Sequence, residues 1–151
     1  MCNYYCEKVR RTARFTSSAL ASLAILHVAW GLGSTFPFRT RRKLADAVIG
    51  SSRVPPPLAC FVVAGALATG AGLVSDAIRT PSPIRRLSLF FMGASFAVRG
   101  ALGFTGRTSM VSPGSDSATF LRLDRQVYSP LCLLLSVGSI VAARYEDVGS
   151  R

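Results

Sequence analysis

Apolar residues along this chain gather into long runs instead of being spread evenly. Phe15 to Phe36 carries no charge beyond whatever His27 holds, Leu58 to Ser75 carries none, and Val127 to Ala143 is equally clean. A further run, Leu87 to Gly106, is interrupted only by Arg99. Spanning a bilayer takes about 20 mostly apolar residues, so the pattern predicts four membrane-spanning helices, at about 15–35, 57–76, 87–106 and 118–143. The loops left between them are short. The predicted fold is all-α: a polytopic membrane protein built as an antiparallel bundle of four transmembrane helices, one membrane domain over residues 1–151.

Punctuation between the runs sets the expected boundaries. "GLGSTFP" closes the first helix with two glycines and Pro37, which discourage continuation. The first loop carries "RTRRKLADAVIG" and has room for a short interfacial helix; "PPP" at 55–57 stiffens the start of the second span. "TPSP" at 80–83 forbids a helix running through it, so the second and third spans are expected to be antiparallel neighbours. "RTSMVSPGSDS" ends in hydroxyl and carboxylate groups suited to capping the last helix from about Ser117, and Pro130 inside that helix predicts a kink. Gly65, Ala68 and Gly72 in the second span, and Gly93, Ala97 and Gly100 in the third, would let helices approach closely in lipid.

Composition narrows the class. A chain of 151 residues holds one core, and its charged fraction of 17% is low beside the quarter or so usual for soluble domains. The net charge of +11 would suit nucleic acid if the basic residues shared a face. They sit instead at the ends of the apolar runs, as Lys8, Arg10, Arg11 and Arg14, then Arg39, Arg41, Arg42 and Lys43, then Arg79, Arg85 and Arg86. That placement anchors helix ends to anionic headgroups, making the lipid bilayer the expected partner and nucleic acid an excluded one. The basic start followed by an apolar run resembles a secretory signal, but the run is longer than such signals and reaches Trp30, so it is read as an uncleaved first span. Counting Lys and Arg by loop places both termini in the cytoplasm of a cell-membrane protein by a margin of one charge. None of Cys2, Cys6, Cys60 and Cys132 forms a Cys-x-x-Cys pair, which argues against thiol redox chemistry and for Cys60 and Cys132 as apolar fillers.

Ionisable groups inside apolar runs are costly and mark candidate sites. His27 lies roughly 18 Å along the helix from Phe15; it reads either as a proton donor and acceptor or as a neutral ring bonded to a neighbouring helix, with Gly31 one turn on. Arg99 can snorkel towards the following loop or pair with Asp124, since a short loop keeps the facing ends of the last two spans level. Phe120, Asp124, Tyr128 and Cys132 recur every four residues and share a face. Asp124 and Tyr128 on that face can do acid-base work or lock the end of the bundle, while Arg122 and Arg125 point elsewhere, towards headgroups. There is no P-loop, dinucleotide fingerprint, zinc pattern or nucleophile elbow, so no cofactor is expected. One histidine and no paired carboxylates in the spans supply no metal set.

"HVAWGLG" at 27–33, "VRGALGFTGRT" at 98–108 and "FLRLDRQVYSPLCLLL" at 120–135 together resemble a family of small four-helix bacterial membrane proteins known only as a domain of unknown function. The likeness runs from the first span to the last, and its most specific part is the Asp-x-x-x-Tyr-Ser-Pro-Leu-Cys block. It falls on His27, Trp30, Gly31, Arg99, Gly100, Asp124, Tyr128, Ser129, Pro130, Leu131 and Cys132. "RTRRK" in the first loop is more basic than the family pattern. The resemblance implies a four-helix integral membrane fold and no established activity.

Three functions fit these features. The first is a non-enzymatic structural or regulatory membrane component, in which His27, Arg99 and Asp124 form an internal polar network and a membrane protein is the partner. The second is a membrane-embedded enzyme, an isomerase or cyclase acting on a lipid or isoprenoid, with Asp124 as acid or base, Arg99 holding an anion or positioning Asp124, and His27 and Tyr128 assisting. The third is a component of a transporter, for which four helices would need to oligomerise.

Overall fold

A computed structural model describes residues 2–51, 55–110, 114–115 and 117–149. Most of them lie in helices: α1 (Cys2–Gly31), α2 (Arg41–Val48), α3 (Pro57–Val74), α4 (Ser82–Phe104), a 3-10 turn at Thr108–Met110, and α5 (Ala118–Leu123) running through a π turn (Asp124–Tyr128) into α6 (Ser129–Gly149). Taking α5, the π turn and α6 as one rod gives five helical rods where the sequence predicts four; the extra one is α2, in the first loop. The fold is all-α among the described residues.

The boundaries follow local chemistry. Proline stands in the first turn of both α3 and α4, where its missing N–H costs no hydrogen bond. The "TPSP" stretch therefore starts α4 at Ser82, earlier than the apolar run alone suggests. Ser117 caps α5 by accepting the Phe120 N–H, as expected; Asp116, the carboxylate expected to help, lies outside the described residues, as do residues 111–113 of the same loop. Gly106, at φ +70, ends α4 in a left-handed turn in which the Arg107 N–H reaches back to the Leu102 carbonyl.

Among the described residues, three helical segments are long and apolar enough to cross a membrane: Pro57–Val74, Ser82–Phe104 and Ala118–Arg144. The predicted first span falls outside this set. Thr16, Ser17, Ser18, Ser22 and His27 dilute its hydrocarbon, and two of those hydroxyl residues face other helices. Thr16 is buried against Gly138 of α6, and Ser17 donates to the Ala71 carbonyl of α3. The most polar of the long helices is thus packed between two others.

The long helices lie side by side in the order α3, α1, α6, α4. The second and third spans, expected to be antiparallel neighbours, do meet, around Gly70–Met92 and Leu73–Arg85, but α3 packs chiefly on α1 and α4 on α6. Matching of small residues explains the choice. Gly93 and Gly100 of α4 lie against Ser136 and Ser129 of α6, close enough that an added Cβ would come within 3.3 and 3.1 Å of their carbonyl oxygens. Gly65 of α3 has nothing within reach and Ala68 is exposed, so close approach falls on the third span and not on this part of the second.

A core of Leu20, Leu73, Val74, Leu89, Leu135 and Ala143 closes one half of the bundle. Around it the molecule presents Ile25, Val62, Leu87, Phe91, Leu134 and Val137 outward, far more exposed hydrocarbon than the scattered residues of a typical soluble surface. Cys60 is a buried free thiol and Cys132 a half-buried one; the side chains of Cys2 and Cys6 lie outside the described part.

Candidate functional site

Pro130 shapes the local chain. It has no N–H and its ring would clash with the carbonyl four residues back in a regular helix. The chain widens just ahead of it: the Ser129 N–H bonds the Asp124 carbonyl five residues earlier, closing a π turn. Such bulges absorb a proline without breaking the rod. They also advance the register by one residue. The predicted stripe of Phe120, Asp124, Tyr128 and Cys132 is therefore buried only at its first two members, and beyond the bulge Ser129 and Ser136 take over the inner face while Tyr128 and Cys132 are half-buried.

Asp124 is 0% exposed. Arg99 Nη2 of α4 donates to its Oδ1 at 2.7 Å, and the Thr108 hydroxyl donates to Oδ2 at 2.5 Å. Of the two fates open to Arg99, pairing is realised; 31% of its side chain remains exposed, on the outer face of α4. Thr108 arrives through the turn at Gly106, which folds the chain back against Asp124. The three groups form a clasp tying the end of α4, the following turn and the π turn together.

Gly103 leaves room for the clasp. A side chain there would overlap the Ser129 hydroxyl and come within 2.8 Å of Asp124 Oδ2 and 3.0 Å of Arg99 Nη1. Arg99 Nη1 and Ser129 Oγ are buried without a hydrogen-bond partner among the described residues. A small polar nook thus sits beside the carboxylate, with spare donors facing it.

Tyr128 serves a different contact. Its hydroxyl donates to the Ala47 carbonyl of α2 at 3.1 Å, and the Ser117 hydroxyl donates to the Asp46 carbonyl. Helix C-termini leave carbonyls unpaired, so the Tyr128 hydroxyl supplies a donor at the end of α2, and Ser117 adds one to Asp46, which already accepts the Gly50 N–H. The short helix is thereby docked with Leu44, Ala45 and Ala47 inward and Arg41, Arg42 and Lys43 outward, the disposition of an interfacial helix. Tyr128→Phe is expected to cost about 1 kcal/mol, the net worth of one neutral hydrogen bond, and to raise amide exchange in α2 ahead of the rest of the chain. Uniform exchange throughout would disprove the local role.

His27 is not part of this group. Its Nδ1 lies 2.8 Å from the Leu23 carbonyl and, facing an acceptor, carries the hydrogen; its ring packs at 4.9 Å on Trp30 of the same helix. Trp30 in turn donates to the Phe36 carbonyl. The separation follows from local packing: at this end of the bundle α1 lies against α3, with Phe61 on Gly31, while α4 lies against α6, with Leu133 and Ser129 on Gly100. The predicted network of His27, Arg99 and Asp124 is corrected to Arg99, Asp124 and Thr108, with Ser129 beside them. Gly31 does admit another helix, taking the ring of Phe61 from α3. Arg122 and Arg125 are exposed.

Two grooves beside the clasp leave Asp124 out of their described lining. An open groove along α4, lined by Phe91, Ala94, Ser95, Val98 and Arg99, includes the arginine but not Asp124, and another on the outside of α5 and the π turn, lined by Leu121, Arg122, Arg125 and Gln126 among others, excludes the clasp.

Fold and clasp define a class: an all-α protein with three helices long and apolar enough to cross a membrane, fastened at one end by a buried ion pair. Within that class the chain belongs to the family described as "Protein of unknown function (DUF3995)", whose model matches residues 20–139. The match includes His27, Arg99, Thr108, Asp124 and Tyr128. No curated protein and no solved structure matches the chain.

Proposed function

We propose that this chain is a multi-pass integral membrane protein with four spans, α1, α3, α4 and the α5–α6 rod, acting as a structural or regulatory component of the membrane. Its polar centre fixes helix register and performs no turnover. The bilayer and the anionic headgroups at its basic helix ends are the partners, together with another membrane protein. One observation carries the reading: both oxygens of a fully buried Asp124 are spent on Arg99 and Thr108. A general acid or base needs to be within hydrogen-bond reach of the group it serves, and this one is surrounded by its own chain. In this reading the loop charges place both termini in the cytoplasm.

The spare donors at Arg99 Nη1 and Ser129 Oγ favour a second reading, a membrane-embedded isomerase or cyclase acting on a lipid or isoprenoid with Asp124 as its acid or base. Lipid and metabolite profiling of a deletion strain complemented with wild type or Asp124→Asn separates the two. For the structural reading, any lipid change is expected to scale with the amount of folded protein. A variant as abundant as wild type that nonetheless accumulates a lipid precursor would overturn it in favour of the enzyme.

A further inference from the structure

A cavity of about 550 Å³ lies at the end of the bundle opposite the clasp, where α1 begins, α3 ends, α4 begins and α6 runs out. Its volume is within the range of roughly 300–1,000 Å³ usual for small-molecule sites. Three arginines line it, Arg10 and Arg14 from α1 and Arg85 from α4, with Ser18 beside them and Val9, Ala13 and Val74 forming an apolar wall. Asp76 is the one acid among the described lining residues.

Arg85 is held in the wall. It is 8% exposed, and its Nε donates to the Leu73 carbonyl in the last turn of α3 at 2.7 Å; Asp76 Oδ1 is 3.8 Å from the same nitrogen. A cation at a helix C-terminus is favourable, which accounts for this guanidinium and leaves the other two unexplained. Arg10 and Arg14 are four apart on one face of α1, and like charges at that spacing repel. Neither has an ion-pair partner among the described residues, and the nearby Glu7 is taken by Arg11. Two arginines with no ion-pair partner among the described residues, aligned beside a third that is fixed and buried, form a site for an anion with several acceptor oxygens.

The height of the cavity supplies the rest. Arg14 immediately precedes the apolar run that starts at Phe15, α3 ends at Val74, and Arg86 immediately precedes Leu87. All three hydrocarbon segments stop at this level, as they would at the boundary between acyl chains and headgroups. We propose that the cavity binds a phosphate group, gripped by Arg10 and Arg14 with Arg85 behind them, and that its source is the headgroup of an anionic phospholipid whose glycerol end lies along Val9, Ala13 and Val74. The lipid source rests on the membrane-spanning reading; the phosphate chemistry does not.

The test uses the full chain purified in detergent and followed by native mass spectrometry and thermal unfolding. Phosphatidylglycerol is expected to be retained and to raise the melting temperature, and phosphatidylcholine to do neither. Arg10→Gln/Arg14→Gln should retain phosphatidylglycerol roughly thirtyfold less well, the value of two interfacial arginines, with an unchanged melting temperature before lipid is added. Arg10→Lys/Arg14→Lys should keep most of the binding, and the charge-matched Arg41→Gln/Arg42→Gln on α2, which lines no part of the cavity, should lose clearly less than the Arg10/Arg14 glutamine pair. Protection by inorganic phosphate with indifference to the lipid would keep the phosphate assignment and make the free anion its source. Equal losses in the two glutamine pairs, or no response to either lipid or phosphate, would overturn the site. Extraction of the chain from membranes by alkaline carbonate would count against the spanning reading alone.

Discussion

Asp124→Ala is expected to destabilise the protein by about 3–5 kcal/mol, the cost of breaking a buried ion pair by removing one partner. Asp124 is fully buried, so the variant strands Arg99 with its charge partly desolvated and leaves the Thr108 hydroxyl without its acceptor. For a chain of this size the loss corresponds to roughly 6–20 °C in melting temperature. Arg99→Met/Asp124→Leu is expected to regain most of it, because replacing both members of a buried pair with apolar groups is often neutral. Unfolding of the three proteins in one detergent measures both numbers. A loss below about 1 kcal/mol for Asp124→Ala would mean that the carboxylate is not holding α4 to the π turn. If the double variant recovers, the pair contributes register and not net stability, which is the behaviour expected of a structural clasp.

The fold was legible to the extent that hydrocarbon length and turn residues decide it. Pro57, Pro83, Gly106 and Ser117 each mark an observed helix end, and the three most apolar runs are the three segments of spanning length. The chief helix neighbours were not legible, because adjacency in sequence says that two spans can pack and not that each is the other's main partner; Ser17 bonding Ala71, and Gly93 and Gly100 facing Ser136 and Ser129, are pairings across distant parts of the chain. At the site, Arg99 and Asp124 could be read as partners because each is a charge beside an apolar run and a short loop joins them. Thr108 could not, being one hydroxyl in a loop full of them. Ser129 was displaced from view by the π turn: a strict period of four selects Tyr128, and only the missing N–H of Pro130 hints that the count slips by one. His27 misled for a general reason. An ionisable residue in an apolar run announces that it has a partner, and here the partners are Leu23 and Trp30 on its own helix.

Gly103→Val is expected to cost about 3 kcal/mol, at the upper end of overpacking losses, while Gly65→Val changes stability by less than about 0.5 kcal/mol. The two substitutions replace glycine with the same β-branched residue inside a helix, so their difference isolates what the new methyl groups meet. At Gly65 they meet open space. At Gly103 the Ser129 hydroxyl can rotate away, having no bond to lose, but Asp124 Oδ2 is tethered by Thr108 and Arg99 Nη1 by its paired nitrogen. Relieving the overlap therefore means opening the clasp. That makes the loss non-additive with the first prediction: once Asp124→Ala has removed the carboxylate, Gly103→Val should cost at least about 1 kcal/mol less than it does alone, a coupling typical of residues in one network. Full additivity in the double-mutant cycle would show that Gly103 matters only for the spacing of α4 and α6, and that the space left at residue 103 has no part in holding the charged pair.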